Sequence, residues 1–387
     1  MVKLGSGEHT YQVSGDNWGN LPEGWFYREA TSVDVDSNDN VYVFSRGNHP
    51  VIVFDTDGNV LRSWGEDGVF TNPHAVTIAP DDTVWCVDNA DHSIRRFSPT
   101  GELLMTLNER REHSPAMSGD PFCSPTRVRI DPRNGDILVS DGYGNARVHR
   151  FTPDGKKLIR SFGSPGTDPG TFNLVHDIDI DEDGYIYIAD RENRRIQMFD
   201  PEGNVEACWY GFSRAAAICV SNGLGYVGEY YAGGGESGSY RNAGHLGPRV
   251  SLTDLQGNVL ARLGEEPFGD EPGRFYAPHG IATDSLTLWE ISTWPKSPSP
   301  NTAGAWTRPR NCVPCRSWSK RIEGVSAFTN RSVFVNGHSP GRPSYDSTRS
   351  WSALEVILAT KKQACIRSPH LGTPCPQRSP CCPWQAG

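Results

Sequence analysis

Three histidines stand at nearly equal intervals along the chain. His74, His176 and His279 are 102 and 103 residues apart, and each precedes a short run of alternating apolar and polar residues. Three imidazole nitrogens with an open fourth position are the usual ligand set of a catalytic zinc ion. A lone histidine in a loop before a strand more often makes a structural hydrogen bond. The prediction of a metal site therefore rests mainly on the equal spacing of the three histidines and less on the residue type.

The stretch that contains these histidines is built of repeats. An apolar residue enters a tight turn that contains Asp or Pro and ends in Gly, which supplies the positive φ that such turns need. A second hairpin pattern lies between these turns, as in residues 33–43 and 180–188. Four short strands per roughly 40–50 residues are typical of a propeller blade. The turn motif begins at Phe54, Phe97, Phe151, Phe199 and Leu252.

The repeat units begin near residues 31, 74, 126, 176, 215 and 279, which makes six. In that order the three histidines fall on units two, four and six. Alternate blades of a six-fold ring are about 120° apart, so three imidazoles can meet at one end of the central channel. The sequence therefore predicts an all-β, six-bladed β-propeller with a metal site on its axis.

Composition excludes several classes of function. The formal net charge of −9 argues against a general nucleic-acid binder. The sequence has no run of about 20 apolar residues, so we expect no membrane span. Residues 1–10 lack the apolar segment of a secretory signal. We therefore expect a cytoplasmic protein.

The charge divides the chain into unlike parts. From residue 286 onward there are 13 Lys and Arg, 4 Asp and Glu, and six of the ten cysteines, whereas the first 285 residues carry a net charge of −18. We predict a lead segment at 1–30, a propeller at 31–285 with an incomplete sixth blade, and an irregular tail at 286–387. Our hypothesis for the tail is a frameshifted or unrelated sequence, and the alternative is a disordered tail. Cys312 and Cys315 lack the second CxxC pair that a zinc knuckle needs.

Several motifs in this order resemble one family. They are Phe44-Ser-Arg-Gly-Asn-His49, Phe122-Cys-Ser-Pro-Thr126, Ser140-Asp-Gly-Tyr-Gly-Asn-Ala-Arg147, Ala189-Asp-Arg-Glu-Asn-Arg-Arg-Ile196 and the two Pro-His pairs at 73–74 and 278–279. Over roughly residues 30–285 the chain resembles NHL-repeat six-bladed propellers. Within this group it resembles the catalytic core of peptidyl-α-hydroxyglycine α-amidating lyase, in its bacterial form.

This resemblance implies an enzyme that cleaves the C–N bond of an α-hydroxyglycine and releases an amide and glyoxylate. The expected substrate is a small molecule or a peptide, and whether a separate monooxygenase partner supplies it stays open. A tyrosine would take the hydroxyl proton and two arginines would grip the carboxylate. The resemblance implies His74, His176 and His279 as zinc ligands, and Tyr143, Arg46 and Arg191 as catalytic residues.

The family also holds a structural calcium ion. Its backbone-carbonyl ligands match Val33 and Val76, and its carboxylate ligand follows the third histidine. Here that residue is Gly280, so the calcium lacks its only anionic ligand.

Two other functions remain open from the sequence. One is a non-catalytic NHL propeller that binds a protein or a ligand on one face. The other is a calcium-dependent lactonase or esterase propeller, whose metal takes oxygen ligands. Asp177 and Asn72 lie close to two of the histidines in the sequence, so a calcium-dependent hydrolase remains an alternative. Nitrogen ligands at all three matched positions favour zinc or another transition metal.

Overall fold

Short alternating segments separated by Gly- and Asp-rich turns form antiparallel sheets around one axis. The computed structural model describes residues 2–13, 18–230, 247–264, 272–275, 277–284 and 288–292. These residues contain strands and turns and no helix. In particular, no described segment is a helix long and apolar enough to cross a membrane. The prediction of an all-β propeller is confirmed.

Five complete blades follow one another along the chain, each a four-stranded antiparallel sheet in sequence order. Blade one contains β3 (Ala30–Val35), β4 (Val41–Ser45), β5 (Val51–Phe54) and β6 (Val60–Trp64). Blade two contains β7 (Pro73–Ile78), β8 (Val84–Asp88), β9 (Ser93–Phe97) and β10 (Leu103–Leu107). Blade three contains β11 (Arg127–Ile130), β12 (Ile137–Asp141), β13 (Arg147–Phe151) and β14 (Leu158–Phe162). Blade four contains β15 (Val175–Ile180), β16 (Ile186–Asp190), β17 (Arg195–Phe199) and β18 (Val205–Trp209), and blade five contains β19 (Arg214–Ser221), β20 (Leu224–Tyr230), β21 (Arg249–Asp254) and β22 (Val259–Leu263).

The predicted count of six blades needs a correction, because the described residues form five complete blades. The sixth position holds only two strands, β23 (Pro278–Thr283) and β24 (Leu288–Ser292), which we call the sixth sheet. Its incomplete state agrees with the expectation that the repeat pattern fails there. The strand β24 lies beyond residue 285, within the segment that the sequence assigns to the tail. Residues 293–387 of that predicted tail lie outside the described part of the chain.

Burial falls from the axis of each blade to its rim. The second strands β4, β8, β12 and β16 are buried at every residue, whereas the fourth strands β6, β10, β14 and β18 are exposed or half-buried at every residue except the last. The apolar runs of the second strands fit this position, because a strand covered on both faces carries few polar side chains.

A glycine contact repeats between neighbouring blades. Gly101, in the β9–β10 turn, has φ of +91°, and a Cβ there would lie 2.9 Å from the Trp64 ring at the end of blade one. A Cβ on Gly203 would likewise contact the Phe162 ring at the end of blade three, and a Cβ on Gly257 would contact the Trp209 ring at the end of blade four. The turn glycine is therefore needed for its positive φ and for close packing of the preceding blade's last side chain.

The N-terminal segment supplies this contact on both sides of the sixth sheet. A hairpin of β1 (Lys3–Ser6) and β2 (His9–Gln12) packs in one core cluster with Leu263 of β22 and Ile281 of β23. A Cβ on Gly5 would lie 2.9 Å from Leu263, and the Trp18 ring stands against Gly58 of blade one. The N-terminal segment thus fills packing positions that the outer strands of a complete sixth blade would fill. Among the described residues, however, the hairpin shows no strand pairing with β24.

Candidate metal centre

The structure brings the three predicted histidines together at one end of the channel. Each is the second residue of an innermost strand: His74 in β7, His176 in β15 and His279 in β23. All three are at least 93% buried, since their exposed fractions are 1%, 2% and 7%. One ligand nitrogen from each ring lies within 4.8 Å of the other two. We call these residues the histidine triad.

A neighbouring blade fixes the orientation of every ring in the triad. The Nδ1 atoms of His74, His176 and His279 each lie 2.6 Å from a backbone carbonyl oxygen. A carbonyl can only accept, so each Nδ1 carries the proton and donates it. Each Nε2 is then left as the lone-pair nitrogen that a metal ion requires. The three accepting carbonyls belong to Thr126, Ala216 and Thr31.

The surroundings keep these imidazoles neutral. Burial, followed by the charges of His279 and Arg46, holds the pKa of His74 well below 6.5. Burial and the Arg191 guanidinium do the same for the pKa of His176. Burial and Arg46 lower the pKa of His279 to about 3. Neutral imidazole is the metal-binding form, so protons compete weakly for these nitrogens.

Tyr143 lies directly over the triad. It stands in the loop after β12, and its Oη atom is 3.1 Å from Nε2 of His74 and 3.1 Å from Nε2 of His176. The phenol is 37% exposed, so a ligand can reach it from solvent. The guanidinium carbon of Arg191 lies 5.8 Å from the centre of the Tyr143 ring, within cation–π range.

Arg46 and Arg191 flank the triad from blades one and four. Arg46 Nε donates to the carbonyl of Pro73 at 3.1 Å, next to His74, and its Nη1 pairs with Glu29. Arg191 Nε pairs with Glu192 at 2.9 Å. The structure therefore places all six predicted site residues in one region. Their individual roles remain predictions.

Tyr230 belongs to the same region and was missed from the sequence. Its ring centre lies 6.2 Å from that of His176 and 6.0 Å from that of His279. The guanidinium carbons of Arg191 and Arg214 lie 5.6 and 5.7 Å from the Tyr230 ring centre. The repeat could have revealed it. Tyr230 directly follows Glu229 in the second strand of blade five, just as Arg191 directly follows Asp190 in the second strand of blade four.

Buried carboxylates order the loops that lead into two of the histidines. Asp88 Oδ1 accepts the Asn72 N–H at 3.0 Å, two residues before His74. Asp190 Oδ1 accepts the Asn173 N–H at 2.7 Å, three residues before His176. We call Asp88 and Asp190 the clamping carboxylates. In the sixth sheet the equivalent register position is occupied by Ser292, which pairs with Pro278 as Asp88 pairs with Pro73.

The oxygen ligands that a calcium hydrolase would need are engaged elsewhere. Asp177 accepts the Ile218 N–H at 3.0 Å and pairs with Arg127 at 3.2 Å. The Asn72 amide donates to Asn89 at 2.6 Å. Within the described residues the metal-competent group of side chains contains only the histidine triad.

The predicted calcium site at Val33 and Val76 does not fit the residues present. The Val76 carbonyl accepts the Ser32 hydroxyl at 3.4 Å, and Ser32 in turn accepts Arg127 Nη1 at 3.1 Å. A Cβ on Gly280 would lie 2.8 Å from Ser32 Cα, so no carboxylate side chain fits there without movement. A buried guanidinium beside these oxygens disfavours a second cation.

The NHL repeat family matches residues 122–151, which include the whole of β11, β12 and β13. The peptidyl-glycine α-amidating monooxygenase of Mus musculus is 30% identical over 201 residues, which are 44% of this chain and 20% of that protein. NHL repeat-containing protein 3 of Homo sapiens is 30% identical over 197 residues, or 48% of this chain and 55% of that protein. The peptidyl-α-hydroxyglycine α-amidating lyase 1 of Drosophila melanogaster is 33% identical over 158 residues, or 37% of this chain and 27% of that protein.

The matched region thus spans between about a fifth and about a half of these relatives. The chain carries an NHL repeat within a β-propeller and is related at low identity to amidating enzymes and to NHL proteins.

Proposed function

We propose that the chain is a zinc-dependent lyase that cleaves the C–N bond of an α-hydroxyglycine to give an amide and glyoxylate. The observation that carries this proposal is the triad itself, with Tyr143 Oη 3.1 Å from two of its Nε2 atoms. The name of the Drosophila melanogaster relative supports the same chemistry.

The triad fits a zinc ion by its donor chemistry. Three buried Nε2 lone pairs converge, and each Nδ1 proton is held by a carbonyl. The three ligand nitrogens lie within 4.8 Å of one another, so all three residues could hold one zinc ion. Zinc bound there would lower the pKa of a substrate hydroxyl.

Tyr143 is positioned to move the proton. As the phenolate it would take the proton of the substrate's hydroxyl, the electron pair of that O–H bond would form the carbonyl of glyoxylate, and the C–N bond would break with its electron pair on the amide nitrogen. The proton then passes to the departing amide nitrogen, so the reaction needs no oxidant and no net proton. General acid–base assistance of this kind contributes about 10²- to 10⁴-fold in rate.

Arg46 and Arg191 would hold the substrate carboxylate. Each guanidinium is oriented by a glutamate, Glu29 and Glu192 respectively, which limits its rotation. Their charges lie close enough to influence the triad, since both contribute to the low pKa of His74 and His279. An arginine fork binds a carboxylate with two parallel hydrogen bonds, which a lysine cannot reproduce.

The direct test is glyoxylate release from α-hydroxyhippurate by zinc-loaded protein. We expect turnover by the wild type and a loss of about 10²- to 10⁴-fold in kcat for Tyr143→Phe. The matched control is Tyr185→Phe, because Tyr185 is also 37% exposed and lies in the turn before β16. No glyoxylate from folded wild type that contains zinc would contradict the proposal.

A binding function is the second candidate, because the human relative is named only for its NHL repeats. In that case the triad would serve as a structural hydrogen-bond set. His176→Ala would then leave partner binding unchanged, and purified protein would carry no transition metal.

The substrate chemistry also defines the preceding reaction. An α-hydroxyglycine arises by hydroxylation of a glycine Cα, so we propose that a monooxygenase acts before this chain.

A further inference from the structure

Two arginines of β11 reach into the channel just beyond the triad. The Arg127 side chain is 2% exposed. Its Nη1 donates to Ser32 Oγ at 3.1 Å, its Nε lies 3.2 Å from Asp177, and its Nη2 lies 3.8 Å from Asp34. Ser32 and Asp177 directly follow Thr31 and His176, so this layer lies one residue along the strands from the triad.

Arg129 repeats the arrangement two residues further along β11. Its Nε lies 2.9 Å from Asp179 and its Nη1 2.8 Å from Asp34. The same carboxylates accept backbone N–H groups of other blades, since Asp34 accepts Ile78 and Asp179 accepts Val220. The two layers therefore join inner strands of all five complete blades across the channel.

Arg127 contacts its carboxylates as a charge and not as a directed fork. Its Nε and Nη2 atoms are buried and make no aligned hydrogen bond within the described residues, although both face carboxylate oxygens. A bound calcium ion would have a similar arrangement, with a positive charge at the centre and oxygen atoms around it in a flexible geometry. Unlike such an ion, a guanidinium is covalently attached and is not lost to chelators.

We infer that the Arg127 guanidinium takes the place of a divalent cation on the channel axis. It neutralises Asp177, supplements the charge that Arg129 brings to Asp34, and joins blades one, three and four, so the propeller needs no calcium there. Removal of this side chain leaves buried Asp177 and the Ser32 hydroxyl facing one space, which is bordered by Asp34, still paired with Arg129 at 2.8 Å. These are hard oxygen donors, and the variant should acquire a calcium site that the wild type lacks.

The experiment compares melting temperatures of zinc-loaded wild type and Arg127→Ala in millimolar CaCl₂ and in NaCl of equal ionic strength. We expect calcium to shift the wild type by less than about 1 °C and to raise the variant by at least about 3 °C. Arg195→Ala is the matched control. Arg195 is also buried and paired, but its partner Asp190 keeps the Asn193 and Gln197 amides. Calcium should not restore that variant.

Three results would overturn the inference. The first is a wild type that calcium stabilises by several degrees, since its channel would then already hold the ion. The second is an Arg127→Ala protein that folds but does not respond to calcium. The third is an Arg127→Ala protein that stays insoluble even when refolded with calcium, because the ion should replace the lost charge.

Discussion

Blades two and four hold their histidines by a carbonyl contact and by a clamping carboxylate, and of these two contacts the described residues of the sixth sheet show the carbonyl contact. All three Nδ1 atoms donate to a carbonyl of the next blade at 2.6 Å. The loops before His74 and His176 are also bound by the clamping carboxylates Asp88 and Asp190. The register position of those carboxylates in the sixth sheet is Ser292.

This difference separates what places a ligand from what stiffens it. The orientation of each imidazole ring comes from a contact with the neighbouring blade. The sixth sheet has this contact too, because His279 in β23 donates to the Thr31 carbonyl in β3. The loop clamp comes from within one blade and depends on a carboxylate at the last residue of the second strand. His279 therefore relies on closure of the ring, and the N-terminal hairpin with Trp18 provides the packing that closes it.

The largest expected effect comes from removal of a clamping carboxylate. Asp190→Ala removes one buried, charged acceptor from the Arg195 guanidinium, the Gln197 amide and the Asn173 N–H. Breaking a buried ion pair on one side costs about 3–5 kcal/mol of unfolding free energy, measurable by urea denaturation. Exposed Asp183 in the same blade serves as the control, and Asp183→Ala should leave the unfolding midpoint unchanged. An unchanged unfolding midpoint in Asp190→Ala as well would show that the clamping carboxylate does not stabilise blade four.

Loss of the N-terminal closure should come next. Trp18 is 8% exposed and packs against Phe54 with ring centres 5.0 Å apart. Trp18→Ala should cost about 3 kcal/mol of stability and should weaken metal binding through His279. The control Phe26→Ala, at a residue of the same segment that is 44% exposed, should do neither. Unchanged metal affinity in Trp18→Ala would show that His279 does not depend on this contact.

A pH series tests how deeply His279 is buried. In the metal-free protein its pKa of about 3 lies below 6.5, so the unfolded chain takes up a proton that the folded chain does not. Stability should therefore fall as the pH drops from about 6.5, by up to about 1.4 kcal/mol per pH unit for this residue. His279→Gln should flatten the slope by that amount, whereas exposed His113→Gln should not. Equal slopes for all three proteins would mean that His279 is solvated.

The smallest effect should come from adding a carboxylate to the sixth sheet. Ser292→Asp places an acid at the register position of Asp88 and Asp190. We expect a gain of about 1 kcal/mol in stability and tighter zinc binding, because Asp88 and Asp190 order the corresponding loops of blades two and four from this register position. Ser292→Asn is the neutral control. A loss of stability in Ser292→Asp, with none in Ser292→Asn, would show that the sixth sheet cannot use the clamp.

The repeat pattern was enough to predict the propeller and the meeting of three histidines, because both follow from local spacing. It could not reveal the carbonyl partners. His279 and Thr31 are 248 residues apart, and their contact exists only once the ring is closed. The role of the N-terminal hairpin was missed for the same reason. Tyr230 was overlooked although the repeat marks it, because a tyrosine there differs in type from Arg46 and Arg191.

The strand β24 shows the limit of composition as a guide. Its sequence Leu288-Trp-Glu-Ile-Ser292 lies where basic and cysteine-rich residues begin, so the sequence assigns it to the tail. Pairing with β23 needs only backbone groups and an extended conformation, which many sequences satisfy next to an existing strand edge.

The most direct test of the account is the metal content of the purified, folded protein by elemental analysis, with His176→Ala and His113→Ala alongside. The triad predicts roughly one zinc ion per chain in the wild type and in His113→Ala, and none in His176→Ala. A folded wild type that retains no transition metal after incubation with zinc and dialysis would contradict the metal centre and the lyase chemistry built on it.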